Sequence, residues 1–210
     1  MSSNLRSRTI RLAHSNPDLR PHLLPLLTKV AAVDFNIRGK HILDDAMVHG
    51  GAKVEGGAKV SGKAEVSGGA AVWGRAEVSG NAEVYNDAVV YGDAHVSGNA
   101  KVYGKAKVYG KAKVYGKAHV DGDAHVYGSA EVYEGAHVQN NAHVDGDAHV
   151  YGNAALWGRA EVSGNAHVSG NAKVYGYADI SGTAEILGGE WDGSEGPITS
   201  GKWKAPGVPA

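Results

Sequence analysis

The chain of 210 residues has no cysteine, one phenylalanine and two methionines. Without cysteine there is no disulfide and no thiolate to serve as nucleophile or metal ligand, while the cellular compartment stays open. A charge bias is also missing, with 21 basic against 22 acidic residues. Overall electrostatics therefore gives no reason to expect a nucleic acid or a membrane surface as partner. No long apolar run occurs, which speaks against a membrane-spanning helix and against the apolar segment of a secretory leader. Acids are absent before Asp18, whereas Arg6, Arg8 and Arg11 are present, a composition similar to that of an organellar transit peptide. The leucines that follow read instead as a packing arm, and a cytoplasmic location is the default expectation.

What the chain does have is a beat of six. From Val48 to Ile186 every sixth residue is Val, replaced only by Leu156, Ile180 and Ile186, giving 24 positions without an insertion. Alanine stands two residues before each of them, and glycine two residues after, except at Asn86, Glu134 and Asn140. The unit is A-x-V-x-G-x, and strict self-similarity at a short period defines the architecture before any local propensity does. Residues two apart share one side of a strand, so Ala and Val point inward and the variable residues outward. Glycine ends each strand, and the residue after it, such as Asn81, Asp93, Asn99 or Asp123, suits a corner with positive φ. Strands of about four residues, roughly 13 Å long, bury too little alone and must coil and stack. Three sides of six residues close a triangular turn of 18, so 24 hexads predict about eight coils.

With Val78 followed four residues later by Ala82 in VSGNAE, the array resembles the hexapeptide-repeat, left-handed parallel β-helix family. The resemblance covers Ala46 to Ile186 and implies an all-β solenoid whose left hand comes from the family alone. That family includes acyltransferases, γ-class carbonic anhydrases and non-catalytic scaffolds, so it leaves the chemistry open. Long arrays of this kind are also similar to uncharacterised bacterial and phage proteins.

The flanks are not repetitive. Residues 1–40 read as a short helical N-terminal arm, with one helix near Leu5 to His14 and a second after Asn16 and Pro17 interrupted by Pro21 and Pro25, since proline removes a backbone donor. Leu19, Leu23, Leu24 and Leu27 share a face, either capping the first coil or docking the chain to a larger assembly. Residues 41–188 are the β-helix. Residues 189–210, with Trp191 and Trp203, read as a C-terminal cap folded over the last coil.

A period of 18 turns the outer surface into columns. Trp73, Tyr91, Tyr109 and Tyr127 form one; Tyr115, Tyr133 and Tyr151 a second; Tyr85 with Tyr103 and Trp157 with Tyr175 a third. Stacked aromatics stabilise such columns without a ligand, and exposed aromatic stripes also mark interfaces, so a homo-oligomer, a trimer for preference, is expected; stacking of carbohydrate on the tyrosines is a lesser alternative. Six lysines ring the coil VYGKAKVYGKAKVYGKAHV. Lys105 lies between Asp87 and Asp123, Lys111 follows Asp93, Lys101 follows Glu83 and Lys113 precedes Glu131. The belt is thus expected to register near-identical coils rather than bind an anion.

Histidines fill the outward slot between Ala and Val, in stacked pairs His119 with His137, His125 with His143, and His149 with His167. With Asp121 and Asp145 beside the first two pairs, a surface Zn²⁺ or Ni²⁺ could find two imidazoles and a carboxylate. Nothing encloses such a site, and solvated histidines are the expectation, with no cofactor. Enzymes of the resembling family build their sites with loops extruded from the coils or across a subunit interface. No loop leaves this array, which provides no lid or cleft wall. Ice-binding members present Thr-x-Thr ranks, which are absent here. The expectation is a non-catalytic structural or assembly protein, a rigid column anchored by its arm in a larger structure such as a virion assembled in the cytoplasm. The alternative is a hexapeptide-type enzyme, acyltransferase or γ-carbonic-anhydrase-like, with an interfacial site.

Overall fold

The computed structural model describes residues 41–206 and the backbone of residues 208 and 209; the arm, including Leu19, Leu23, Leu24 and Leu27, lies outside the described residues. Within them the protein is a parallel β-solenoid with three flat faces. The first face stacks nine strands from Met47–Val48 to Glu190–Trp191, the second eight from Lys53–Val54 to Asp179–Ile180, and the third ten from Lys59–Val60 to Val208–Pro209. Within the repeat each residue pairs with the one 18 positions on, as Lys101 does with His119 and Val102 with Val120.

Each strand of the repeat has two ladder residues rather than the expected four, because the chain turns at the glycine two residues beyond the valine. Pairing still extends round the corner: Lys101 N donates to Ala118 O at 2.9 Å, Tyr103 N to Val120 O at 3.0 Å and Lys105 N to Gly122 O at 2.7 Å. The turn itself is closed inside the coil by Ala106 N donating to Tyr103 O at 3.4 Å.

Positive φ falls on the glycine, not on the residue after it as the sequence suggested. Gly104 has φ +71°, and the three residues that replace glycine, Asn86, Glu134 and Asn140, adopt φ of 60°, 59° and 59°. A second constraint acts at the same atom. A Cβ on Gly104 would lie 2.9 Å from the backbone N of Gly122 in the next coil. Asn, Asp and Gly tolerate the conformation best, while Glu134 gains from it, since its Oε2 accepts from Gly152 N at 2.8 Å.

Ala and Val fill the prism. From Ala52 to Ile186 every alanine and every branched aliphatic of the frame is buried, so each coil offers three methyls and three isopropyls or their equivalents to the layers above and below. Burying one such aliphatic side chain contributes about 1.5–3 kcal/mol.

The coil count is about nine, not eight, and the difference lies at both ends. Ile42 already bridges Val60, and Asp44, at φ 60°, occupies the glycine corner of that extra unit. At the other end the tail does not merely fold back; it runs on as a parallel coil in which Trp191 pairs with Val174, Ile198 bridges Ile180 and Trp203 pairs with Ile186. Trp191 sits in the core at 1% exposure, its Nε1 donating to Gly188 O at 2.7 Å, with Trp203 meeting it edge-on at a ring separation of 6.3 Å. Val208–Pro209 then pairs antiparallel to Lys202–Ala205 and covers the last strand of the third face. An edge covered in this way no longer offers a row of free backbone groups to another chain.

Candidate surface site: the outward ladders

Each face carries two outward columns, one from the residue before the valine and one from the residue after it. Tyr109 lies between Tyr91 and Tyr127, at ring separations of 4.8 and 5.0 Å, and Trp73 extends the ladder at 4.6 Å from Tyr91. The second ladder joins Tyr115, Tyr133 and Tyr151 at 5.0 Å per step. Tyr85 with Tyr103 stand 4.9 Å apart and Trp157 with Tyr175 4.8 Å apart. Interplanar angles within these ladders are 1–4°, so successive coils add almost no twist and the faces stay flat. Ladders of stacked side chains are among the features that hold sheets flat. Because each ring covers its neighbour's face, the ladders present edges to the outside, which removes the flat platform that carbohydrate stacking needs.

Histidines form parallel ladders beside the tyrosines: His119–His137 at 4.7 Å, His125–His143 at 4.9 Å and His149–His167 at 4.9 Å. The two sets touch edge-on across a diagonal, as Tyr109 does His125 at 6.0 Å and Tyr133 does His149 at 6.1 Å. Sequence reasoning missed this diagonal, whose signal is a Tyr followed by a His sixteen residues on. Among the described residues no group of three His, Cys, Asp or Glu is arranged to hold a metal ion, so His119, His137, His125 and His143 stack without a carboxylate completing a ligand set.

Two tyrosine ladders end on an aspartate one coil further on, Tyr103 on Asp121 and Tyr127 on Asp145. The Asp145 carboxylate and burial push the Tyr127 phenol well above its ordinary range; at Tyr103 burial leads and Asp121 adds to it. Tyr115 donates to Glu131 Oε2 at 2.9 Å. Its phenol is likewise raised, by burial first and then by that bond.

Burial, then the facing imidazoles of His137 and His143, hold His119 and His125 below their ordinary pKa, with Lys101 and Lys107 acting in the same direction and Asp121 and Asp123 opposing. A pKa lowered by folding means the unfolded chain takes the proton first. The contribution is therefore complete above the unfolded value of about 6.5 and is lost as pH falls through the lowered folded values. The urea midpoint of the protein is expected to drop between pH 7.5 and pH 5. Replacing both residues with glutamine (His119→Gln, His125→Gln) is expected to flatten that slope, and a wild-type midpoint that does not move over the interval would refute the linkage. Glu131, held below the ordinary carboxyl range chiefly by Lys113, acts only at lower pH and leaves this window clear.

The lysine belt divides. Lys101 pairs with Glu83 at 2.9 Å and Lys113 with Glu131 at 2.8 Å, but Lys105 and Lys111 make no ion pair with the aspartates expected of them among the described residues. Asp93 is held instead by Arg75, Nε to Oδ1 at 2.7 Å, and Lys111 has no ion pair among the described residues. A shallow groove lined by Arg75, Glu77, Asp93, His95, Lys111 and Lys113 is thus largely self-neutralised, His95 standing 3.5 Å from Glu77.

These features define the class as a parallel β-solenoid with ladder-bearing faces. Comparison with family models, with curated proteins and with solved structures finds no match, so the functional reading rests on this geometry.

Proposed function

We propose that the protein is a non-catalytic structural column of the hexapeptide-repeat, left-handed type, anchored through residues 1–40 to a larger assembly and self-associating side by side. A virion component is the reading favoured by the likeness to phage-borne arrays. One observation carries this reading: eight successive coils keep an 18-residue register with no loop leaving the wall. Repeats that contact only their neighbours make a stiff rod, and an unbroken wall supplies presentation surface rather than a cleft that excludes water. The ladders support the same reading, since they consume aromatic area in holding the faces flat.

The arm is tested in the full chain. With Leu23→Asp and Leu27→Asp together, the protein is expected to leave the fast-sedimenting fraction of its native host or particle preparation and run as a free column, with its far-ultraviolet dichroism unchanged. Sedimentation identical to that of the parent would remove the anchoring role. Metal-dependent hydration of CO₂ or acyl transfer by the purified protein would replace the structural reading with an enzymatic one.

A further inference from the structure

The three faces differ in how they settle their own charges. On the first, Lys101 pairs with Glu83, Lys173 with Glu190 and His49 with Glu65; on the third, Lys59 pairs with Glu77, Lys113 with Glu131 and Lys202 with Glu185. The two outward columns of the second face hold no ion pair among the described residues; Arg75–Asp93 lies at the corner beyond them. This face also holds the only consecutive apolar residues in the column before the valine, Ala71 and Val89, which are Cα partners in adjacent coils and lie beside Trp73 and Tyr91. Trp73 is 45% exposed, among the most exposed large apolar side chains of the described residues.

We propose that this second face binds a second copy of the chain, with the two columns parallel and related by a two-fold axis along their length. The proposal rests on the structural reading given above and names its partner. Such an axis places the residue before the valine on one copy against the residue after the valine, at the same level, on the other. The sequence of this face follows that rule most closely over its first four coils, Lys53 to Tyr109. Ala71 meets the partner's Trp73 and Val89 the partner's Tyr91, a small side chain against a large one each time, as facing sheets about 10 Å apart require. Lys107 meets the outward edge of the partner's Tyr109, whose ring faces are covered by Tyr91 and Tyr127, so its ammonium group can donate to the phenol oxygen. At the first coil Lys53 meets the partner's Glu55, a charge pair that neither copy forms within itself among the described residues, and at the last two coils Glu161 and Asp179 meet the partner's Ser163 and Ser181, hydroxyls able to donate to a carboxylate. Every contact occurs twice by symmetry.

An antiparallel arrangement lacks this complementarity. With the columns reversed about the middle of the face, like columns meet, and Ala71 faces Glu161 while Val89 faces His143. The near-absence of twist between the stacked rings of this face, 3–4°, lets two such faces lie together along their length. Eight coils at about 4.8 Å and a width of roughly 13 Å give an overlap on the order of 500 Å² per copy. That lies at the low end for specific pairs, so association in the micromolar range is expected.

Sedimentation equilibrium of the full chain tests the pairing. The parent is expected to show a reversible dimer, and Val89→Glu to weaken it at least tenfold. Glutamate already occupies this slot at Glu65, Glu77 and Glu83, so the fold tolerates it, which unchanged dichroism verifies. Ala155→Glu, the equivalent change on the first face, is expected to leave the dimer intact. A short bis-maleimide should join a Lys53→Cys copy to a Glu55→Cys copy, the parent having no cysteine, and should fail between Lys53→Cys and Asp179→Cys copies. A monomer at all concentrations, a trimer, or a dimer sensitive to Ala155→Glu but not to Val89→Glu would each overturn the pairing. Anchoring by residues 1–40 is scored separately through the Leu23 and Leu27 variant, so either idea can fail while the other stands.

Discussion

Val108→Asp is expected to destabilise the column by more than about 4 kcal/mol, a magnitude reserved for a few mechanisms of which an unpaired buried charge is one. Val108 is fully buried, its Cα partners are Val90 and Val126, and only alanine and branched aliphatic side chains surround it. No donor is in reach of a carboxylate there, and the carboxyl must either ionise without a partner or stay protonated at neutral pH. Lys107→Asp, one residue away on the outward side, should change stability by only about 0.5 kcal/mol. Urea unfolding followed by far-ultraviolet dichroism separates the two. The location also matters, because a solenoid is stabilised by contacts between neighbouring coils. A break in the middle should leave shorter stacks above and below and broaden the transition. A loss below about 2 kcal/mol would mean that water reaches the interior, contrary to the burial of every inner position from Ala52 to Ile186.

Gly104→Val carries the second largest expected effect, about 3 kcal/mol. The residue must hold φ +71°, a region in which a β-branched side chain is a genuine outlier. Its Cβ must also fit 2.9 Å from Gly122 N and 3.0 Å from Gly122 O. Both contacts are with backbone, which cannot rotate away. Gly104→Asn is expected to cost about 1 kcal/mol or less, because asparagine is the side chain best suited to positive φ after glycine and Asn86 and Asn140 already take the same corner. Thermal melting of the two variants measures the gap between them. Equal losses would show that space in the next coil, rather than the backbone conformation, selects glycine.

Most of the fold could be read from the chain because its period is strict. A register of 18 follows from Ala and Val at fixed spacing, and it placed Tyr109 over Tyr91 and His137 over His119 without any knowledge of the path between them. Three things were less legible. The corner conformation was assigned one residue late, since glycine and the polar residue behind it are both turn formers and the periodicity does not distinguish them. The extra coil was missed because its inner residues, Trp191, Ile198 and Trp203, follow Ile186, the last of the frame, at steps of five, seven and five residues. A tryptophan in the interior needs the wall to adjust around it, and the six-residue beat fails where that happens. The ion pairs of the belt were half legible: the register brings Lys105 near two aspartates, but flexible exposed side chains choose among neighbours, and Asp93 took Arg75 in preference to Lys111. As for the candidate site, the ladders were readable residue by residue. Which face differs from the others was not, because that depends on which charges are already satisfied within the chain.

The 18-residue register has a further consequence for how such a chain can change in length. Adding or deleting a whole coil shifts everything beyond it by one strand spacing, about 4.8 Å, and leaves each side chain on the wall it had before. Adding a single hexad preserves the inner Ala and Val beat equally well, yet it rotates all downstream residues onto the next wall and cuts every ladder at that point. Tandem duplication in this gene is thus free to act as a ruler in steps of three hexads, while a step of one, harmless to the interior, scrambles the outside.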